Sequence, residues 1–341
     1  MMNDVKICNV CVLPETFPGI HFDESGTCNF CRERDAEKAG VSIKAEYRAR
    51  FEAVLDDVRG TGSHDVLVCY SGGKDSTQTV SVLRKDYGLN VLAVSIDNGF
   101  VSEQARKNIR NVVEQLGVDH MFLKPRHDVM AGIFRRCAVD DVFAPKALEK
   151  ASSICTACMG VVKYSTLRLA MEQGIPLIAY GWSPGQAPVS SSIIRNNARM
   201  VQYMQRSVYD PLYRIAGDDI RPYFLEERHF RGDLQFPVYV HPLAFLDYNE
   251  DAIYENIRKL GWEPPRDVDA NSTNCLLNSL GNAVHRERLG FHPYAWELAN
   301  LVREGYLDRE TALARLNETE NPEILRVVKD KLGMENKAHV V

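Results

Sequence analysis

The run Ser71-Gly72-Gly73-Lys74-Asp75-Ser76 collects the residue types that hold phosphate. Two glycines let the backbone turn sharply and bring its N–H groups close to anionic oxygens. Ser71 and Ser76 add hydroxyl donors, and Lys74 adds a point charge. Asp75 would be repelled by bare phosphates, so it is expected to hold Mg²⁺ or to cap a following helix. The spacing is not that of the GxxxxGK loop of kinases and GTPases.

Nine cysteines are the second chemical signal. Cys8-x-x-Cys11 with Cys28-x-x-Cys31 places four thiolates in two tight turns, a set that suits tetrahedral Zn²⁺ and leaves no open coordination position. Such a site is structural, stabilising a segment too small to fold alone. Cys155-x-x-Cys158 offers only two ligands, so a third must come from afar. Cys275 is the natural candidate and Cys137 the reserve. Three thiolates can hold a 4Fe-4S cluster while one iron stays free for another ligand. A second zinc site, a catalytic disulfide pair and inert core thiols are the other readings. Cys69 reads as a core thiol.

These groups need a frame. Asp65–Tyr70 is β-branched and apolar, as expected of a strand buried on both faces, and it runs into the glycine turn. Thr77–Tyr87 then reads as a helix whose positive end favours an anion. Val91–Ile96, His120–Leu123 and Pro176–Tyr180 read as further strands. Ala45–Val58, Ser102–Leu116 and Val161–Gln173 have helical periodicity. This alternation implies parallel strands with crossover helices. Cys155 and Cys158 precede the last of those helices, where its positive end would stabilise thiolates.

The expected division is a knuckle at 1–40, an α/β core at 41–240 and a helical portion at 241–341 that contributes Cys275. Residues 195–230 are expected as helical pieces over the site, with Leu298–Leu316 and Ile324–Leu332 as closing helices. Ligands of such sheets lie beyond the carboxyl ends of the strands. Asp97, at one such end, is either a site residue or a plain turn residue. Tyr180-Gly181-Trp182 ends another strand. Arg195, Arg199 and Arg206 suit an anionic substrate or surface ion pairs. His285-Arg286-Glu287-Arg288 and His292 read as a solvated charged face or as cations aimed at the site. Trp182, Trp262 and Trp296 read as core.

The 341 residues are 45% hydrophobic and 26% charged with a net charge of −5, ordinary globular values that speak against a strongly basic nucleic-acid footprint. No run approaches the roughly 20 apolar residues of a membrane helix, and the start lacks a secretory core. A cytoplasmic protein with no membrane partner is expected.

The glycine loop resembles the SGGxDS loop of the ATP-pyrophosphatase (PP-loop) superfamily. That resemblance implies a doubly wound parallel sheet of the adenine nucleotide alpha hydrolase type and cleavage of ATP between its α- and β-phosphates. It also implies that Ser71, Gly72, Gly73, Lys74, Asp75 and Ser76 bind the pyrophosphate end. Ile96 then contacts adenine, and Gly181 helps to complete the pocket.

The segment from Cys8 to Asp23 resembles the start of N-acetyl sugar amidotransferases, as does Asp308–Leu313 near the end. Those enzymes use ATP and ammonia from a partner glutaminase. Cys155–Tyr164 is more similar to the tRNA thiolases that make 2-thiouridine, which hold a 4Fe-4S cluster on a mid-chain CxxC and a distal third cysteine. Cys155, Cys158 and Cys275 match that pattern in order. The second cysteine-rich knuckle that ends the tRNA enzymes is absent here. With the net charge, this makes a small or sugar-like substrate a better expectation than tRNA.

Both resemblances imply the same first step, adenylation of an amide-like oxygen. They differ in the nucleophile that follows. Ammonia needs no cluster, whereas sulfide gains from an open iron. The expected activity is therefore ATP-dependent sulfur transfer from a sulfide donor, with Lys74, Asp75, Cys155, Cys158 and Cys275 carrying the chemistry. Amidation with a glutaminase is the alternative, and a nucleotide-binding iron–sulfur sensor without turnover is a third reading. A homodimer is one assembly that fits.

Overall fold

A computed structural model describes residues 5–37, 43–231, 234–268 and 271–334. The expected boundary after residue 40 lies outside them. The first helices are α1 (Asn29–Glu37) and α2 (Ile43–Val58). Then come β1 (Val66–Cys69), α3 (Lys74–Ser81), β2 (Val91–Ile96), α4 (Glu103–Leu116), β3 (Asp119–Leu123) and α5 (His127–Val139). The middle holds α6 (Ser153–Gln173), β4 (Leu177–Tyr180), β5 (Ile193–Arg195), α7 (Ala198–Ala216) and β6 (Val238–Val240). The closing helices are α8 (Glu250–Arg258), α9 (Leu277–Leu289), α10 (Ala295–Glu304), α11 (Arg309–Asn317) and α12 (Pro322–Leu332).

The six strands form one sheet in the order β3-β2-β1-β4-β6-β5, in which only the short β5–β6 pair is antiparallel. The period of two along each strand sends residues to opposite faces. Val66, Val68, Val91, Ala93 and Ala179 pack on one side with residues of α2, α4 and α8. Leu67, Leu92, Val94 and Ile178 pack on the other with residues of α5 and α6. Helices thus cover both faces, and the sheet is doubly wound. The chain leaves β1 toward β3 and returns to β4 on the opposite side of β1. That switch point is where the rule for parallel sheets expects a ligand crevice. Among the described residues no helix is long and apolar enough to cross a membrane.

Several elements differ from the sequence expectation. The helix after the glycine turn begins at Lys74, three residues early, because the turn itself is its first cap; a single π turn, Val82–Asp86, extends it. Helix α6 begins at Ser153, well before Val161, because the Ser152 side chain accepts from the Cys155 N–H. Cys155 and Cys158 therefore lie inside the helix rather than ahead of it. The single helix expected at Leu298–Leu316 is two: α10 stops before Gly305, and the Asp308 carboxylate caps α11 by accepting from Thr311 N–H. Strands β5 and β6, three residues each, were too short to show a pattern.

The N-terminal segment is held by two isolated bridges, Ile7↔Pro14 and Phe22↔Cys28. Phe17 stacks on Trp296 of α10 at 5.5 Å, and Phe30 meets the same ring edge-on. Arg309 donates to the carbonyls of Cys8 and Cys11. The knuckle is thus seated on the C-terminal helices.

One close approach joins β4 to the start of α3. A Cβ on Gly181, just past β4, would lie 2.4 Å from Ser76 Cα and 2.6 Å from its nitrogen. Backbone atoms on both sides cannot yield. Gly181→Ala is expected to cost about 2–3 kcal/mol, read as a lower urea midpoint with an unchanged slope.

Candidate active site

The loop after β1 turns through Gly72, whose φ of 78° is a left-handed conformation that favours glycine. Trp262, 1% exposed, donates its indole N–H to the Gly72 carbonyl at 2.9 Å. Ser71 Oγ and Ser76 Oγ stand 3.0 Å apart across the turn. Gly73 is the N-cap of α3 and has no side chain of its own to cap it. Asp75 therefore does not cap the helix, which removes one of the two roles expected of it. Its carboxylate instead accepts from Tyr248 OH at 3.1 Å and pairs with Lys74 at 3.1 Å.

Lys74 is buried, with its ammonium 2.8 Å from Glu250 and 2.7 Å from Tyr248 OH. Burial alone would lower its pKa, but Asp75, Tyr248 and Glu250 outweigh it and raise the value. The charge expected for phosphate is thus permanent but shared with two carboxylates. Arg315 braces Glu250 from the far side at 2.7 Å. Burial pushes the Glu250 carboxyl up, yet Arg315 and Lys74 bring it down to about 2.

At the end of β2, Ile96 leads into Asp97, which is 2% exposed. Asp97 accepts from Gly99 N–H at 2.9 Å and pairs with Arg106 at 2.8 Å. It is a buried carboxylate held by Arg106 and Lys124, and its bond from Gly99 N–H also closes the turn. Burial raises its pKa, and Arg106, the Gly99 amide and Lys124 together bring it below the ordinary value.

Asn98 follows, and its side-chain amide meets two sulfurs, Cys158 Sγ at 3.2 Å and Cys275 Sγ at 3.7 Å. Asn278 reaches the third, Cys155 Sγ, at 4.0 Å. Cys275 is anchored by an antiparallel bridge to Val101 and by the Ser102 N–H to Asn274 carbonyl bond. Two residues before it, Thr273 Oγ1 accepts from the Lys74 N–H at 3.1 Å. The chain thus brings Cys155, Cys158 and Cys275 into one neighbourhood; Cys158 and Cys275 pack with the α5–α6 face of the sheet, whereas Val80 of α3 packs with the other. Cys137 is buried in the core, and Cys69 reaches Thr166.

The two thiol groups differ in spacing. Cys8–Cys31, Cys11–Cys28 and Cys28–Cys31 have sulfurs 3.9, 3.8 and 3.5 Å apart. A tetrahedral ion with metal–sulfur bonds of about 2.3 Å needs edges of about 3.8 Å, so these four fit one zinc. Among the described residues no other thiol group brings all its ligand atoms within 4.8 Å. The trio of Cys155, Cys158 and Cys275 is more widely spaced than that. Helix-end stabilisation of these thiolates is not what the structure shows. Burial pushes Cys155 up, Cys158 to about 12 and Cys275 to about 11, because nothing cationic compensates.

Tyr248, Glu250, Arg315, Thr273, Asn98 and Glu297 are site residues that spacing did not mark. Each lies in an element without a motif and is recruited only by the fold. Glu297 accepts from Ser183 Oγ at 2.6 Å. Burial, helped by Asp75 and Glu250, raises its carboxyl to about 7 against the donated Ser183 bond and Lys74. Two expectations are corrected. Trp182 is 38% exposed and stacks on His241, so it is not core. His285 and His292 are 3% and 7% exposed, so they are not a solvated face. Arg195 makes an exposed pair with Asp57.

No family model matches the chain. An uncharacterized protein of Methanocaldococcus jannaschii is 24% identical over 336 residues, spanning 95% of this chain and 97% of that one. Among solved structures the chain is similar to the U34-tRNA thiolase NcsA of Methanococcus maripaludis with its 4Fe-4S cluster, at 18% identity, 93% and 91% coverage and a TM-score of 0.36. It is also similar to the NMN synthetase of Francisella tularensis, at 12% identity, 86% and 97% coverage and a TM-score of 0.38. The NH3-dependent NAD synthetase of Campylobacter jejuni gives 11% identity, 86% and 93% coverage and a TM-score of 0.34.

The raised Glu297 carboxyl has a sign. Its folded pKa lies above the ordinary 4.5, so its stability contribution is full below that value and is lost as pH rises through about 7. In ligand-free protein, Glu297→Gln should remove about 1–3 kcal/mol of the fall in stability between pH 5 and pH 8, read by urea denaturation at both pH values. An unchanged pH slope would contradict the assignment.

Proposed function

We propose that this chain is an ATP-dependent sulfurtransferase that adenylates a carbonyl-type oxygen of a small or sugar-like acceptor and replaces it with sulfur. AMP and pyrophosphate are the other products. One adjacency carries the reading. Thr273 holds the amide that opens α3, and Cys275, two residues on, shares the Asn98 amide with Cys158.

In this reading the loop N–H groups and the Ser71 and Ser76 hydroxyls hold the pyrophosphate end, with Gly72 and Gly73 giving the backbone its close approach. Asp75 is the carboxylate that would hold Mg²⁺ there. Lys74, fixed by Glu250 and Tyr248, adds a constant positive field. Ile96 and Gly181 border the nucleotide. The acceptor oxygen attacks the α-phosphorus and pyrophosphate leaves. Sulfide then attacks the activated carbon, and the carbon–oxygen bond breaks with AMP as leaving group. A 4Fe-4S cluster on Cys155, Cys158 and Cys275 would supply an iron without a protein ligand, open to sulfide. Cys8, Cys11, Cys28 and Cys31 would hold Zn²⁺ with a structural role.

Acceptor-dependent release of AMP and pyrophosphate tests the first half. Asp75→Asn is expected to lower it at least a hundredfold, and Lys74→Ala with normal AMP formation would contradict the cradle. Anaerobically purified protein should contain one zinc with about four irons and four labile sulfides per chain. Cys275→Ser should lose the iron and keep the zinc; Cys28→Ser should lose zinc and show a lower Tm. Two zinc equivalents without labile sulfide would instead support amidation by ammonia from a glutaminase.

A further inference from the structure

A second set of polar side chains lies at the carboxyl ends of β4 and β6, with no role in the site above. Tyr180, Tyr239 and His241 are 7%, 3% and 3% exposed. Their rings pack together, with the Tyr180 centroid 5.5 Å from those of both Tyr239 and His241. The hydroxyls of Tyr180 and Tyr239 and the Nδ1 of His241 are buried without a well-aligned hydrogen bond; Tyr239 OH has Tyr180 OH near it, and Tyr180 OH also has Thr166 and Cys69. Lys163 of α6 brings its ammonium to the same place, 5.4 Å from the centre of the Tyr239 ring. Its only polar neighbour at bonding range is the Met204 sulfur at 4.0 Å, and among the described residues it forms no ion pair.

Each buried polar group left without a partner costs about 1–3 kcal/mol, and an unpaired, largely desolvated cation costs more. Four such groups in one place are a standing demand for a partner. All four can donate: an ammonium, two phenol hydroxyls and an imidazole N–H in the Nδ1 tautomer. What satisfies an ammonium with neighbouring hydroxyl and imidazole donors is an anionic oxygen group.

We propose that Lys163, Tyr180, Tyr239 and His241 form an oxyanion-binding subsite that takes a carboxylate or phosphate group of the acceptor substrate. Its place suits that role. Gly181, the residue after Tyr180, packs on the first turn of α3, and Lys163 shares α6 with Cys155 and Cys158. Burial, with Lys163 nearby, brings His241 down to about 3, so the imidazole donates as a neutral group. Trp182 stacks on His241 with centroids 4.4 Å apart and planes 5° from parallel, which makes it a built-in reporter. Only the word acceptor rests on the function proposed above; oxyanion binding itself needs no ATP.

The whole metal-loaded protein is titrated, without ATP, with acetate and separately with inorganic phosphate, following tryptophan emission. The expected result is saturable binding of at least one, weakened tenfold or more by Lys163→Met and by Tyr239→Phe. Lys163→Met should also keep or raise the Tm, because an unpaired buried cation is gone. Saturation by acetate alone assigns a carboxylate, and by phosphate alone a phosphate. No saturable binding of either overturns the proposal, as does binding indifferent to both substitutions, which would mark phosphate held at Ser71–Ser76 or an adventitious ion only. A lower Tm with unchanged affinity in Lys163→Met assigns that lysine a structural role and rejects the subsite. Oxyanion binding without AMP release would leave the subsite standing and remove the nucleotide reading; the converse would remove the subsite alone.

Discussion

The bond from the Lys74 N–H to Thr273 Oγ1 joins two stretches of chain 199 residues apart. A glycine turn at the start of a helix exposes N–H groups that need partners, and here one of them is met by the C-terminal portion. The same stretch pairs Cys275 with Val101, so the closure that finishes the turn also delivers the third thiol. Moving either would move both. Trp262 adds a second tie of the same kind through the Gly72 carbonyl.

Around that tie the charges are balanced in alternation. Lys74 sits between Asp75 and Glu250, and Glu250 sits between Lys74 and Arg315. Burying any one alone would cost several kcal/mol, and the pairing recovers that only when all are in register. This is a reason for the C-terminal helices to be integral to the fold. Arg315 belongs to α11 and Glu250 to α8, so the balance is complete only with both in place.

Much of this was legible in the sequence where a short motif coincided with a strong local pattern. β1, β2 and the turn between β1 and α3 were visible because an apolar β-branched run meets two glycines. The four N-terminal cysteines were visible because two CxxC pairs close together have few other uses. Tyr248, Glu250 and Asn98 were not legible. Their roles depend on which residues the fold sets opposite them, and no spacing rule encodes that. The start of α6 was missed for a local reason: Ser152 caps a helix whose first turns are not amphipathic. His285 and His292 looked like surface because they stand among arginines, yet both rings are buried, and Arg286 and Arg288 donate to backbone carbonyls of neighbouring elements.

The 199-residue span between Lys74 and Thr273 also bears on how the protein comes into being. A ribosome adds about 5–20 residues per second, so the glycine turn emerges roughly 10 to 40 s before its partner is synthesised. The Cys155–Cys158 pair is made only in the later part of that interval, and it too precedes Cys275 and Arg315. The nascent chain therefore carries two thiols that wait for their third, and a cofactor held by all three cysteines can be completed only once Cys275 has been made.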